Sequence, residues 1–392
     1  MKKSFLPILL FAYIVTSAQE TPLEKANKLI EDKKYQSAME VLVDADPTNH
    51  DPDIAIAKTE LFLDYFVTSI MHNLFALTDL EPDQDILDIR GSEGNYSMYA
   101  FSPDTILTAL IREYPDDYRL HKTLGYYFHE VHLKYPQNWL LPDSVVVKKF
   151  RDYYTQAYEH GIYDYWSLYG IGYACLIGND LEEAIPFLEK SAELKDDYPS
   201  SHYNLAYAYL YTDQREKAIA SAQKAMDLYD YPPYKADAAR MIAVVYDEQE
   251  EYEKALEYYY LSDEIMPDDY YTLHPILDLE IQLNKETYPE RTRQFFMLAP
   301  DNPTIYEDLM RIYWKHDKPD ELIAFLEGQK EVYAQDDLVT ANLFFFIANI
   351  QFEQEDFDHS KQNFEEARKL FESVFEQDHP VFEVIDSYLS EM

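Results

Sequence analysis

The chain has 392 residues, 33 lysines and arginines against 74 aspartates and glutamates, and a formal net charge of −41. That length holds two or three compact domains or one long repeat array, and that charge repels nucleic acid and anionic membrane surfaces. A single cysteine, Cys175, excludes an internal disulfide, so stability has to come from packing. Only 8 glycines are present, where an average usage of ~7% would give more than three times as many, which points to helices joined by short turns. Tyrosine, with 37 copies, is the compositional excess.

Residues 1–18, MKKSFLPILLFAYIVTSA, have a basic start (Lys2, Lys3), an apolar run Phe5–Val15, and Thr16-Ser17-Ala18 ahead of Gln19. This is the tripartite form of a secretory signal peptide cut after Ala18. The apolar run falls short of the ~20 residues a membrane span needs, so a retained anchor is the second reading. No cysteine follows the cut position, so the mature end is not a lipid-modified cysteine. The expectation is an exported protein, periplasmic or secreted, of bacterial type, with no transmembrane segment after cleavage.

Further along, residues 19–50 hold a helical hairpin, with Tyr35 and Ala38 on its second helix. Residues 51–160 read as a divergent helical region. An apolar helix is expected over 52–78, followed by a long loop at 79–101 that is either disordered or a lid, and Ser102-Pro103-Asp104 reads as a cap and first turn. The segment 118–128, YRLHKTLGYYF, begins another hairpin whose partner, 143–161, arrives 13 residues late. Residues 161–376 form a regular array. DLEEAIPFLEKSAELK, QREKAIASAQKAMDLY and EYEKALEYYYLSDEIMP bring Ala184, Ala218 and Ala255 into register at offsets of 34 and 37. Each is preceded by a helix with its own small-residue pattern, such as Leu205, Ala206 and Tyr209 in SHYNLAYAYLY. Two helices per ~34-residue unit make a helix-turn-helix repeat. Residues 377–392 fit a capping helix over the last repeat. Pro275, inside one first helix, predicts a kinked or irregular unit at 269–300.

The segment 202–228 resembles the tetratricopeptide repeat family, with His202 where tryptophan is usual, then Leu205, Ala206, Tyr209, Ala218, Ala222 and Ala225, and with Pro267 and Pro300 at closing-proline positions. The resemblance is good over 165–267 and degraded but in phase over 268–376. It implies an all-α fold, a right-handed superhelical array of helix-turn-helix repeats. It also implies that the second, fifth, ninth, twelfth and thirteenth positions of each first helix line an inner groove. Among the aromatic residues at those positions are Tyr126, Trp166, Tyr169, Tyr173, Tyr203, Tyr207 and Tyr211. Aromatic rings bury much area at low entropy cost and keep a polar tip, so the groove reads as a binding surface for a protein or peptide segment. The lysine–asparagine carboxylate clamp of some relatives is absent at these positions. A glycan stacked on the rings, in a nutrient-binding component with a similar helical core, is the alternative.

Chemistry is otherwise sparse. FHEVH, residues 128–132, lacks the four-residue histidine spacing of the zinc proteases, and His121, His129 and His132 fit packing positions. There is no glycine-rich phosphate loop and no G-x-S-x-G elbow. Cys175 falls on an inward-facing repeat position and reads as a buried small hydrophobe. A non-enzymatic scaffold without metal or cofactor is expected.

Overall fold

The computed structural model describes residues 20–94 and 96–392, so the leader read at 1–18 lies outside the described residues. One turn recurs along the chain. The carbonyls of Leu29, Cys175, Tyr209, Tyr246, Glu280, Tyr313 and Gln351 each accept from the amide five residues on, at 2.7–2.9 Å. The residue just before each donor is left-handed: Lys33, Asn179, Asp213, Glu250, Asn284, Asp317 and Glu355, with φ between 50° and 63°. This is the Schellman closure, which satisfies an orphan carbonyl at a helix end and reverses the chain. Every hairpin so closed has the same geometry because the same hydrogen bond sets it.

The chain divides into two units, one ending at Asp196 and one from Asp197 to Met392. Unit 1 contains α1 (Pro22–Glu31), α2 (Tyr35–Ala45), α3 (Pro52–Tyr65), β1 (Thr68–Ile70), β2 (Leu74–Leu77), α4 (Ile86–Ile89), β3 (Ser97–Ala100), α5 (Pro103–Glu113), α6 (Tyr118–Lys134), α7 (Asp143–Glu159), α8 (Tyr165–Ile177) and α9 (Leu181–Leu194). The hairpins α6–α7 and α8–α9 pack side by side, and α3 lies between the α1–α2 hairpin and α6. Ala38 and Ala184 are wholly buried where their helices cross. A Cβ on Gly172 would lie 2.5 Å from Leu188, so only glycine lets α8 and α9 approach this closely.

The expected helix over 52–78 stops at Tyr65, and the rest of it turns into a sheet. The strands pair antiparallel in the order β1-β2-β3, with Thr68 opposite Ala76 and Leu74 opposite Ala100. Met71 and His72 both take left-handed φ, 50° and 42°, and the Asn73 amide donates to the Ile70 carbonyl at 3.1 Å, a type I′ reversal. The sheet is held by rings: Phe62 of α3 stacks on Phe75 at 4.7 Å and meets Phe101 at 5.2 Å. The stretch expected as a loop thus supplies α4 and β3. Ser102 precedes α5 as read, but its side chain makes no capping hydrogen bond.

Unit 2 is entirely helical among its described residues: α10 (Pro199–Tyr211), α11 (Arg215–Leu228), α12 (Pro232–Glu248), α13 (Tyr252–Ile265), α14 (Tyr270–Gln282), α15 (Tyr288–Met297), α16 (Pro303–Lys315), α17 (Pro319–Val332), α18 (Asp337–Glu353), α19 (Phe357–Val374) and α20 (Pro380–Glu391). Ala218 and Ala255 are wholly buried at the hairpin crossings. α14 runs unbroken through Pro275, its sixth residue, so the irregular unit expected at 269–300 keeps its first helix intact. α20 lays Phe382 and Ile385 into the last apolar cluster with Phe364 and Phe371. No helix among the described residues is long and apolar enough to cross a membrane.

Candidate functional site

The seven aromatic positions separate into three environments. Tyr169 is buried, and Trp166 and Tyr173 are half-buried on the same stripe of α8; Trp166 stacks on Tyr169 at 5.5 Å and Tyr169 on Tyr173 at 5.8 Å. Behind them lies His129 of α6, fully buried, 4.9 Å from Trp166 and 4.7 Å from Phe150. Burial pushes the His129 imidazole down to about 3, so it is a neutral ring in an aromatic column. His132 sits beside it, 2.8 Å from Asp143 and 3.5 Å from the Tyr173 hydroxyl. No group of three histidine, cysteine, aspartate or glutamate side chains among the described residues is arranged to hold a metal. Cys175 is buried and its thiol is pushed up to about 11 by burial, which keeps it unreactive.

In unit 2, Tyr203 donates its hydroxyl to Asp237 of α12. Arg240 bridges Asp237 and Asp269, the latter at 3.0 Å, and Tyr270 donates to Asp308 at 2.5 Å, which also takes Arg311 at 2.9 Å. Tyrosine, aspartate and arginine thus tie successive first helices together, and Tyr203 belongs to this tie. Tyr207 and Tyr211 do not. They are 37% and 58% exposed and lie ring to ring at 4.7 Å, one helical turn apart.

Tyr126 and Trp166 line a cavity of about 420 Å³ in unit 1. Spacing of four assembles it: Glu60 and Asp64 lie one turn apart on α3, and Lys122, Tyr126 and Glu130 follow at successive turns of α6. Tyr154 of α7 forms the back, and Asp164, Tyr165 and Trp166 enter from the start of α8. Asp164 caps α8 by accepting from the Ser167 amide at 2.8 Å, and its other oxygen takes Lys122 at 2.8 Å. Tyr154 is clamped between glycines: a Cβ on Gly125 or on Gly170 would stand 2.6 Å from its ring.

Burial governs the carboxyls of this cavity. It raises Glu60 and Asp64 above the ordinary carboxylate range, against the pull of Lys122 on the first and of Tyr126 and Arg90 on the second. It pushes Glu130 up to about 7, with Lys134 and Arg90 opposing and Asp64 adding to the rise. Asp164 stays below its ordinary value because Lys122 and the Ser167 hydrogen bonds outweigh its burial. The Tyr126 hydroxyl donates to Asp64. Repeat position alone singles out Tyr126 and Trp166 in the sequence. It misses Glu60, Asp64 and Glu130, whose only signal is the four-residue spacing on α3 and α6.

Family profiles described as tetratricopeptide repeat match residues 167–198 and 203–269. No curated protein sequence matches the chain. Among solved structures, a tetratricopeptide repeat protein from Parabacteroides merdae is 17% identical and covers 69% of this chain and 97% of its own, with a TM-score of 0.42. YrrB, titled a TPR protein with an unusual peptide-binding site, is 15% identical over 61% of this chain and 98% of its own, with a TM-score of 0.32. MamA from Desulfovibrio magneticus is 15% identical over 47% of this chain and 93% of its own, with a TM-score of 0.38.

Proposed function

Starting from a chain that belongs to the tetratricopeptide repeat proteins, we propose that it is a non-enzymatic scaffold of the bacterial envelope that docks a protein segment on exposed rings of α10. A protein-interaction role is the general use of such repeats. The observation that carries the finer reading is the Tyr207–Tyr211 pair. Two large rings stand exposed and adjacent within a matched repeat while Tyr203 beside them is spent on Asp237. Rings left to solvent on a stacked array offer contact area at little ordering cost to the scaffold. Export rests on the leader reading at 1–18, and a periplasmic or secreted location follows from it.

A photo-crosslinking amino acid at position 214, beside the pair, tests this in envelope extract. The expected result is one protein partner captured by the otherwise native chain and lost when Tyr207→Ala and Tyr211→Ala are added, with helicity unchanged. Equal capture with and without the rings overturns the α10 reading.

A further inference from the structure

We infer that the unit 1 cavity is a site for an organic ammonium or guanidinium cation, held by Glu60 and Glu130 against the rings of Tyr126, Tyr165 and Trp166. Charge is the first ground. Four carboxyl groups, Glu60, Asp64, Glu130 and Asp164, face one ammonium, Lys122, and Lys122 is taken by Asp164 at 2.8 Å. Asp64 is answered by the Tyr126 hydroxyl. Among the described residues nothing hydrogen-bonds or ion-pairs with Glu60 or Glu130; only the longer-range charges of Lys122, Lys134 and Arg90 reach them. Glu60 and Glu130 are half-buried, and a carboxylate drawn partly out of water without a partner is stabilised by a cation brought beside it.

The second ground is independent of the acids. Tyr154 is 1% exposed, and its buried hydroxyl makes no hydrogen bond of ordinary geometry, the Trp166 indole reaching it only at longer range. Gly125 and Gly170 leave the ring no freedom to turn away. A wall so fixed is preformed, so little ordering cost falls on the protein when a ligand enters.

The chemistry of the walls selects among cations. About 420 Å³ falls within the ~300–1,000 Å³ of small-ligand sites and exceeds what a bare ion needs. No metal-holding cluster exists among the described residues. Aromatic faces beside carboxylates suit a cation with an apolar stem, through cation–π attraction and stem burial together. Two sources share this chemistry: a free amine and the lysine or arginine side chain of a polypeptide. The cation site does not depend on a docking role for α10.

Calorimetric titration of the full chain at pH 8 tests it with three probes: n-butylamine, the blocked peptide acetyl-Gly-Lys-Gly-amide, and the same peptide with its lysine Nε-acetylated. The two charged probes are expected to bind, and the acetylated peptide is not. Glu60→Gln and Glu130→Gln should each weaken the charged probes by about tenfold or more, the size of one lost charge-assisted contact. Glu365→Gln, an exposed acid outside the cavity, should leave them unchanged. Peptide binding at least tenfold tighter than butylamine would assign the site to a polypeptide side chain, and near-equal binding to a free amine. The inference is overturned if neither charged probe saturates, if the acetylated peptide binds as well as its parent, or if both glutamine variants bind undiminished.

Discussion

In unit 2 the carboxylates between successive first helices are answered from within: Asp237 by Tyr203 and Arg240, Asp269 by Arg240 and Thr272, Asp308 by Tyr270 and Arg311. In unit 1 the corresponding space between α3, α6 and α8 is a cavity where Glu60 and Glu130 have no partner. The repeat architecture is shared, and so is the use of tyrosine beside acid. The difference lies in whether an arginine reaches the acid. Where it does, as at Arg240 and Arg311, three residues on, the charge is consumed in holding repeats together. Where it does not, the charge is left facing a void. Internal pairing makes a stack, and unpaired burial makes a site.

The most severe way to break this comparison is to remove an answer in unit 2. Glu280 is fully buried, takes the Tyr260 hydroxyl at 2.9 Å, and lies 3.5 Å from Arg291, which also holds Asp263 at 2.9 Å. Arg291→Met strips both carboxylates of their cation. Unfolding in urea should show a loss of roughly 3–5 kcal/mol, the usual cost of leaving a buried charge uncompensated. Adding Glu280→Gln to the same chain should restore a large part of it, since the amide keeps the tyrosine contact without the charge. A loss below about 1 kcal/mol would mean that the pairing of acids in unit 2 is incidental to its stability.

Unit 1 should respond in the opposite sense. The Glu130 carboxyl is raised from an ordinary 4.5 to about 7 in the folded chain. Between those values the folded state keeps a proton that the unfolded state has released, so stability falls as pH rises through the window. The full contribution is present below the unfolded value and gone above about 7. At ~1.4 kcal/mol per unit the penalty at pH 8 is on the order of 3 kcal/mol. Glu130→Gln should therefore stabilise the chain by that order at pH 8 and by almost nothing at pH 4. The gap between variant and native midpoints should open between those limits. A gap that does not change with pH would put Glu130 among the partnered acids, and the contrast with unit 2 would vanish.

What the sequence made legible follows from spacing. The register of Ala184, Ala218 and Ala255 and the burial of Cys175 come from periodic small residues, and the array reads directly from them. Position within a repeat also singled out Tyr126 and Trp166, both at the cavity. The sheet was hidden because its reversal uses Met71-His72, where the usual Asn-Gly signal is absent, and because Phe62 and Phe75 suit a helix as well as a strand. Glu60, Asp64 and Glu130 were hidden by abundance: among 74 acids no pair stands out until the fold shows which ones line one cavity. The tie of Tyr203 to Asp237 joins residues 34 apart, one repeat length, so its spacing is visible but its direction is not. Rings facing a groove and rings bonded to the next helix occupy the same position in the pattern.

The smallest test asks whether the hairpin closures of the two units differ in their backbone or only in their side chains. Both close hairpins with the same Schellman turn, and both place side chains at the left-handed residue, Lys33 in unit 1 and Glu250 and Glu355 in unit 2. A Cβ there costs roughly 1–2 kcal/mol against glycine, partly offset by the freedom glycine has in the unfolded chain. Lys33→Gly, Glu250→Gly and Glu355→Gly should each gain about 0.5–1 kcal/mol by urea unfolding. Asn179→Gly and Asp213→Gly should gain less, because those side chains tolerate the conformation. Lys33 also donates its ammonium to the Gln84 and Pro82 carbonyls, at 2.6 and 3.2 Å, so its glycine variant forfeits two exposed hydrogen bonds that the glutamates do not have. Equal gains at Lys33 and Glu355 would show that the backbone turn alone sets the energy of the closure in both units. A smaller gain at Lys33 would assign the shortfall to that tie between the first hairpin and the segment that carries α4.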